Sequence, residues 1–87
     1  MHEFSLIANL MKKIQNVVDA EHAGRVAVVR VRLGALSHIS ADHFREHFEH
    51  AARGTSAEGA RLEIVTSNDY AEPEAQSILL ESVEVET

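Results

Sequence analysis

The segment RVAVVRVRLG, Arg25 to Gly34, most constrains how this chain can fold. Its second half alternates aliphatic with basic residues, as in a strand with one buried face. Its first half is apolar on both faces, which is typical of a strand with neighbours on both sides. The apolar positions are Val26, Val28, Val29, Val31 and Leu33, and the basic positions are Arg30 and Arg32. The sequence therefore predicts a central strand around which the other elements are arranged.

A helix is predicted on each side of this strand in the sequence. From Phe4 to His22 the apolar residues recur at intervals of three and four, which indicates an amphipathic helix. Gly24 is the predicted stop of this helix. Ser40 is the predicted N-cap of a second helix over Ala41 to Ala52, with two phenylalanines on its buried face. The apolar stripe of the first helix is Phe4, Leu6, Ile7, Leu10, Met11, Ile14, Val17 and Val18, and the phenylalanines of the second are Phe44 and Phe48.

Two further strands are predicted in the last third of the chain. Arg61 to Thr66 alternates apolar and polar residues, and so does the segment from Ile78 to the C-terminus. The polar stretch Ser67 to Ser77, which holds the only proline, is a loop between them.

This order of elements predicts a two-layer α+β domain over residues 1–87, with the order α-β-α-β-β. A helix between the first two strands favours their parallel pairing, and the short loop before the third strand favours an antiparallel pair. Two helices then cover one face of a three-stranded mixed sheet. On the other face we expect cross-strand ion pairs among Arg30, Arg32, Glu63 and Glu84.

Composition excludes several classes of function. The formal net charge of −6 argues against nucleic-acid binding. The chain has no cysteine, so disulfides and cysteine-ligated zinc are excluded. No stretch reaches the ~20 apolar residues of a membrane span, and we expect a cytoplasmic protein.

The first three residues, Met1, His2 and Glu3, all carry groups that can bind a metal ion. With Met1 retained, its α-amine, the His2 backbone nitrogen and the His2 imidazole can close two adjacent chelate rings around one ion. Glu3 can add a further donor. Nitrogen donors of this kind suit Ni(II) or Cu(II). The alternative is a polar first turn of a helix, in which the helix dipole favours Glu3.

Four blocks of the sequence resemble the HypA/HybF family of nickel-insertion proteins of hydrogenase maturation. In order they are MHEFSL, RVAVVRVRLGALSHIS, GTSAEGARLEI and LLESVEVE. The resemblance implies a metallochaperone rather than an enzyme, binding Ni(II) at Met1, His2 and Glu3. It also implies two partners, a nickel-binding GTPase and the large subunit of NiFe-hydrogenase, with urease as another client.

The sequence departs from the family pattern at two places. Family members carry a zinc ribbon of two CxxC pairs between the second and third strands, where this chain has the short loop 67–77 and no cysteine. No structural zinc is therefore expected. The family often has an acidic residue where this chain has Ser40. Asp42, two residues later, is the alternative carboxylate.

The other histidines leave the metal question open. His43, His47 and His50 follow one stripe of the second helix, and the first two have the i, i+4 spacing of a metal-binding pair. The alternative is a solvated helix edge beside the phenylalanine stripe. His38, in the loop before this helix, is the candidate for a supplementary nickel ligand.

Two other interpretations remain beside nickel delivery. The chain can be an interaction or assembly factor for a hydrogenase that keeps the chaperone fold without delivering metal. A homodimer formed by strand exchange is compatible with either function, because exposed sheet edges invite pairing. An enzyme is not expected, since no acid, base and nucleophile converge in the sequence.

Overall fold

A computed structural model describes residues 2–71, 73 and 75–86, with side chains described from residue 5 onward. The elements are α1 (His2–Ala20), β1 (Arg25–Leu33), α2 (Ala41–Ala52), β2 (Arg61–Thr66) and β3 (Ile78–Glu86). The predicted bounds of α2 and β2 are confirmed, and β1 and β3 begin where the sequence predicts. The predicted order α-β-α-β-β is therefore the observed one.

The end of α1 differs from the prediction. The helix ends at Ala20, and His22 takes the left-handed conformation with φ of 52°. The His22 N–H donates to the Asp19 carbonyl at 3.3 Å, and the Ala23 N–H donates to the Val18 carbonyl at 3.0 Å. These two bonds form a Schellman motif, which satisfies the last carbonyls of the helix. Gly24, the predicted stop, lies outside this motif.

The sheet has the strand order β2-β1-β3, so the valine-rich segment is the central strand as predicted. It pairs parallel to β2, with Val29 opposite Leu62. It pairs antiparallel to β3, with Val29 opposite Val83. The predicted mixed sheet is confirmed.

A bulge in β1 explains why apolar residues occupy both even and odd positions in the first half of that strand. The register with β3 shifts between Val26 and Val28, which puts an extra residue into β1. As a result Val26 and Val29 are both buried, at 1% and 0% exposure, although three positions separate them. The bulge turns an irregular pattern into one continuous apolar face.

The helices cover that face and close the core between them and the sheet. The most deeply buried large side chains come from both helices and from the central strand, namely Phe44, Phe48, Ile14, Leu33, Val26, Val29 and Val31. The two phenylalanine rings stack with centroids 6.3 Å apart. In the described part of the chain no polar or charged side chain is buried.

The opposite face of the sheet carries the predicted cross-strand ion pairs. The Arg30 guanidinium donates to Glu63 at 2.8 Å on β2 and to Glu84 at 2.5 Å on β3. It also donates to the Ser82 hydroxyl at 3.2 Å. Hydrogen bonds to Glu84 and then to Glu63 raise the pKa of Arg30 above its ordinary value. One cation on the central strand therefore ties both edge strands to it.

Candidate metal centre

The connectivity brings the beginnings of both helices to one edge of the sheet. Only residues 21–24 join α1 to β1, so α1 runs antiparallel to the strand it precedes. At 1.5 Å per residue α1 is about 28 Å long, close to the roughly 30 Å of β1. Its start therefore lies near the carboxyl end of β1, where residues 34–40 lead into α2.

The predicted nickel ligands lie at this edge as far as the structure describes them. Met1 is outside the described residues, while His2 and Glu3 form the first turn of α1 and their side chains are not described. His38 lies in the loop at the same edge, exposed and with φ of 61°. The topology thus brings His38 to the end of the molecule at which the chain starts. Its coordination of a metal stays a prediction.

Ser40 performs the capping role that the sequence predicts. Its hydroxyl accepts a hydrogen bond from the His43 backbone N–H at 3.1 Å, and its backbone is extended, as expected of an N-cap. Asp42 follows in the first turn of α2 and is exposed. Asp caps a helix about as well as Ser, so the acidic residue common in the family is compatible with the cap found here.

The remaining histidines divide into three groups. His22 is exposed at the opposite edge of the sheet, where Gly24 donates to the carbonyl of Glu86 at 3.2 Å. His43 and His47 touch, with ring centroids 4.5 Å apart and an interplanar angle of 75°. His50 is exposed one turn further along α2. The predicted i, i+4 neighbourhood of the first pair is confirmed, while metal binding by the pair stays a prediction.

Among residues whose side chains are described, no group of three or more His, Cys, Asp or Glu is arranged to hold a metal ion. A centre with a complete side-chain ligand set is therefore not found among residues 5–71, 73 and 75–86. The donors at the start of α1 fall outside that range, and their chemistry is that of an amine, an amide nitrogen and an imidazole.

A groove of about 900 Å³ runs between the two helices. Its apolar lining residues are Ile7, Ala8, Met11 and Ala51, and its charged or titratable lining residues are Glu46, His47, Glu49, His50 and Arg53. Met11 is only half-buried, so the apolar stripe of α1 is wider than the surface that the sheet covers. Met11 belongs to the predicted apolar stripe of α1, and the sequence pattern does not predict this groove.

The loop over residues 67–77 is hydrogen-bonded to the segment after β1, a pairing that the sequence does not predict. The Gly34 N–H donates to the Ser77 carbonyl at 2.9 Å, and the Leu36 N–H donates to the Ala75 carbonyl at 2.6 Å. Ala75 is buried at 4% exposure. These bonds extend the pairing of β1 with β3 and fix the loop beside the segment that carries His38. The residues that pair here are small, and the alternation of apolar and polar residues is too short to predict a strand.

Comparison with known proteins finds one family whose model matches residues 1–74, described as hydrogenase/urease nickel incorporation, metallochaperone, HypA. A hydrogenase maturation factor HypA from Methylocella silvestris is 42% identical over 64 residues, which are 74% of this chain and 57% of that protein. The corresponding protein of Azotobacter chroococcum is 37% identical over 75% of this chain and 58% of its own length. The chain therefore spans a little over half the length of these curated relatives.

Solved structures share the fold. The solution structure of the Ni metallochaperone HypA from Helicobacter pylori superposes with a TM-score of 0.78 at 18% identity, covering 97% of this chain and 97% of that one. A second solution structure, of a HypA protein, gives a TM-score of 0.75 at 18% identity, covering 98% and 96%. No helix in the described residues is long and apolar enough to cross a membrane.

Proposed function

Because the chain belongs to the HypA family of hydrogenase/urease nickel-incorporation metallochaperones, we propose that it is a nickel-binding accessory protein for the maturation of NiFe-hydrogenase, with urease as another client. The observation that carries this proposal is the family match over residues 1–74, which include the opening Met1, His2 and Glu3. Nickel is then the cargo of the protein, taken up and passed on without chemical change. In this function the protein is not an enzyme.

The proposed Ni(II) ligands are the α-amine of Met1, the backbone nitrogen and imidazole of His2, and a donor from Glu3. Nitrogen donors joined by adjacent chelate rings suit the tetragonal or square-planar geometry that Ni(II) accepts. His38 is the proposed supplementary ligand, supported by its exposure and by its position at the edge where α1 begins. The amine and imidazole must lose their protons to bind, so acidification is expected to release the metal.

Calorimetric titration of Ni(II) into the chain with an untagged N-terminus tests this site. His2→Ala removes the imidazole, and we expect the dissociation constant to rise at least about tenfold, as for the loss of groups that support a metal site. His22→Ala is the matched control, because His22 is exposed at the opposite edge of the sheet. Its affinity should stay within about twofold of the parent, a difference of roughly 0.4 kcal/mol.

Acetylation of the N-terminal amine is a second test. We expect it to raise the dissociation constant as much as His2→Ala does, because it removes a donor without changing any side chain. Equal Ni(II) affinities of the parent, the His2 variant and the acetylated chain would contradict the proposed N-terminal site. A loss in the His22 variant as large as that in the His2 variant would do the same.

The proposed partners are a nickel-binding GTPase of the maturation system and the hydrogenase large subunit. The sequence has no glycine-rich phosphate loop of the GxxxxGK[ST] type, so nucleotide hydrolysis is assigned to the partner. The proposed compartment is the cytoplasm. The loop 67–77 stands where the family carries its zinc ribbon, and we propose no structural zinc for this chain, which has no cysteine.

The alternative function is an interaction or assembly factor for a hydrogenase that keeps the fold but delivers no metal. The groove between α1 and α2, which is lined by both apolar and charged residues, favours this second candidate. A complex with hydrogenase subunits that survives chelators, together with absent nickel binding, distinguishes it from nickel delivery. The proposed homodimer by strand exchange is compatible with both functions and is tested by light scattering at high protein concentration.

A further inference from the structure

The second helix carries a pair of imidazoles that the proposed nickel site does not use. His43 is exposed and His47 is half-buried, so solvent reaches both rings. Their centroids lie 4.5 Å apart, and the ring planes are inclined by 75° rather than stacked. The i, i+4 spacing puts both rings on one face of α2, one turn apart.

The separation of the rings is that of an edge-to-face ring contact, and it also leaves the two imidazoles close enough to share a metal ion. A metal held at about 2 Å by one nitrogen of each ring, in positions about 90° apart, puts the ring centroids about 4.5 Å from each other. A tetrahedral angle would open this separation to about 5 Å. The observed distance of 4.5 Å is compatible with neighbouring positions of a square-planar or octahedral ion, geometries that Ni(II) and Cu(II) adopt.

The backbone that carries the pair is held firmly on both sides. Ser40 caps the helix through the backbone N–H of His43 itself. Phe44 and Phe48, which follow the two histidines directly, are 0% and 1% exposed in the core. The pitch of α2 is thus fixed by buried contacts, so little ordering is needed when a metal bridges the two rings.

We propose that His43 and His47 form a second metal site, in addition to the one proposed at Met1–Glu3, for a late divalent transition ion such as Ni(II) or Cu(II). Among the residues whose side chains are described, no group of three or more His, Cys, Asp or Glu is arranged to hold a metal ion, so His43 and His47 are the ligands that this proposal names. A metal ion bound by the two imidazoles would take its further donors from water or from another protein. The carboxylates of Asp42 and Glu46, next to the pair in sequence, add favourable negative charge.

The test titrates Ni(II) into the N-terminally acetylated chain, in which the proposed Met1–Glu3 site is blocked. We expect one equivalent to bind, and we expect His43→Ala and His47→Ala each to raise the dissociation constant at least about tenfold. His50→Ala keeps both ligands and should change the constant less than about twofold. Circular dichroism of each variant verifies that α2 is still folded.

A spacing control keeps the number of histidines constant. The double variant Asp42→His/His43→Ala moves one imidazole to i, i+5 from His47, off the shared face, and should bind as weakly as His43→Ala. Equal binding by the double variant and the parent would overturn the proposal, as would no binding to the folded acetylated chain. The His2→Ala test of the untagged chain reports on the other site, so failure of one proposal leaves the other measurable.

Discussion

His22 adopts a backbone conformation that few residues other than glycine tolerate. Its φ of 52° crowds the β-carbon against the neighbouring carbonyl oxygen, at a cost of about 1–2 kcal/mol. The side chain is exposed, so its removal leaves no cavity. We expect His22→Gly to raise the free energy of unfolding by about 0.5–1 kcal/mol, because glycine relieves the strain but gains freedom in the unfolded chain. Urea unfolding followed by circular dichroism measures this change.

Gly24→Ala is the matched control at the same connection. Gly24 has no positive φ, and a β-carbon placed there meets nothing within 4 Å. Alanine should therefore be neutral or stabilise by up to about 1 kcal/mol through the unfolded state. If Gly24→Ala destabilises the protein while His22→Gly does nothing, the assignment of the helix stop to His22 is wrong.

At the level of elements, the start of α2 depends on Ser40. Substitution of Ser40 also tests the departure from the family pattern, in which this position is often acidic. Ser40→Ala removes the acceptor for the His43 N–H and should cost about 1 kcal/mol of stability. Ser40→Asp should keep the stability within about 0.5 kcal/mol, since aspartate caps equally well. Thermal unfolding of the three chains measures the difference.

The same pair of variants separates capping from metal binding. Ser40→Asp adds a carboxylate at the edge where α1 begins, so we expect tighter Ni(II) binding by calorimetry. Ser40→Ala should leave the nickel affinity of the proposed Met1–Glu3 site unchanged. Weaker binding by Ser40→Asp than by the parent would count against nickel binding at this edge.

The sequence predicts elements well where the signal is local. The bounds of α2 follow from a capping serine and two spaced phenylalanines, and those of β2 from simple alternation. The end of α1 was wrong because His22, not the nearby glycine, takes the left-handed conformation. The bulge that unites Val26 and Val29 depends on the partner strand, so no local pattern shows it.

For the candidate site, the sequence predicts which residues carry donors, whereas the edge shared by His38 and the start of α1 follows from the observed order and lengths of the elements. The contact between His43 and His47 follows from helical spacing alone. The groove beside Met11 and the bonds from Gly34 and Leu36 to the loop were missed, because they join segments distant in sequence. Their formation depends on packing in three dimensions.

On the scale of the whole molecule, Arg30 links parts of the chain that are far apart in sequence. Its partners Glu63 and Glu84 lie 33 and 54 residues away, on the two edge strands. The pKa of Arg30 is higher in the folded chain than in the unfolded chain. Its contribution to stability is therefore fully present below the unfolded-state pKa and is lost only as the pH rises through the folded-state pKa. Arg30 is therefore charged in both states at neutral pH, and salt is the better probe of this cluster.

Arg30→Met keeps most of the aliphatic stem, removes the cation and leaves Glu63 and Glu84 on the same face without it. We expect a lower melting temperature than that of the parent, because cross-strand pairing is lost and like charges face each other. The difference should shrink from about 0.01 M to about 1 M salt, as the Debye length falls from about 30 to about 3 Å. Arg25→Met is the control, since Arg25 pairs only with Glu86 among the described residues, at 3.2 Å, and both side chains are more than half exposed. A salt-independent loss in the Arg30 variant, or an equal loss in the Arg25 variant, would show that packing of the stem rather than the charge cluster holds the three strands together.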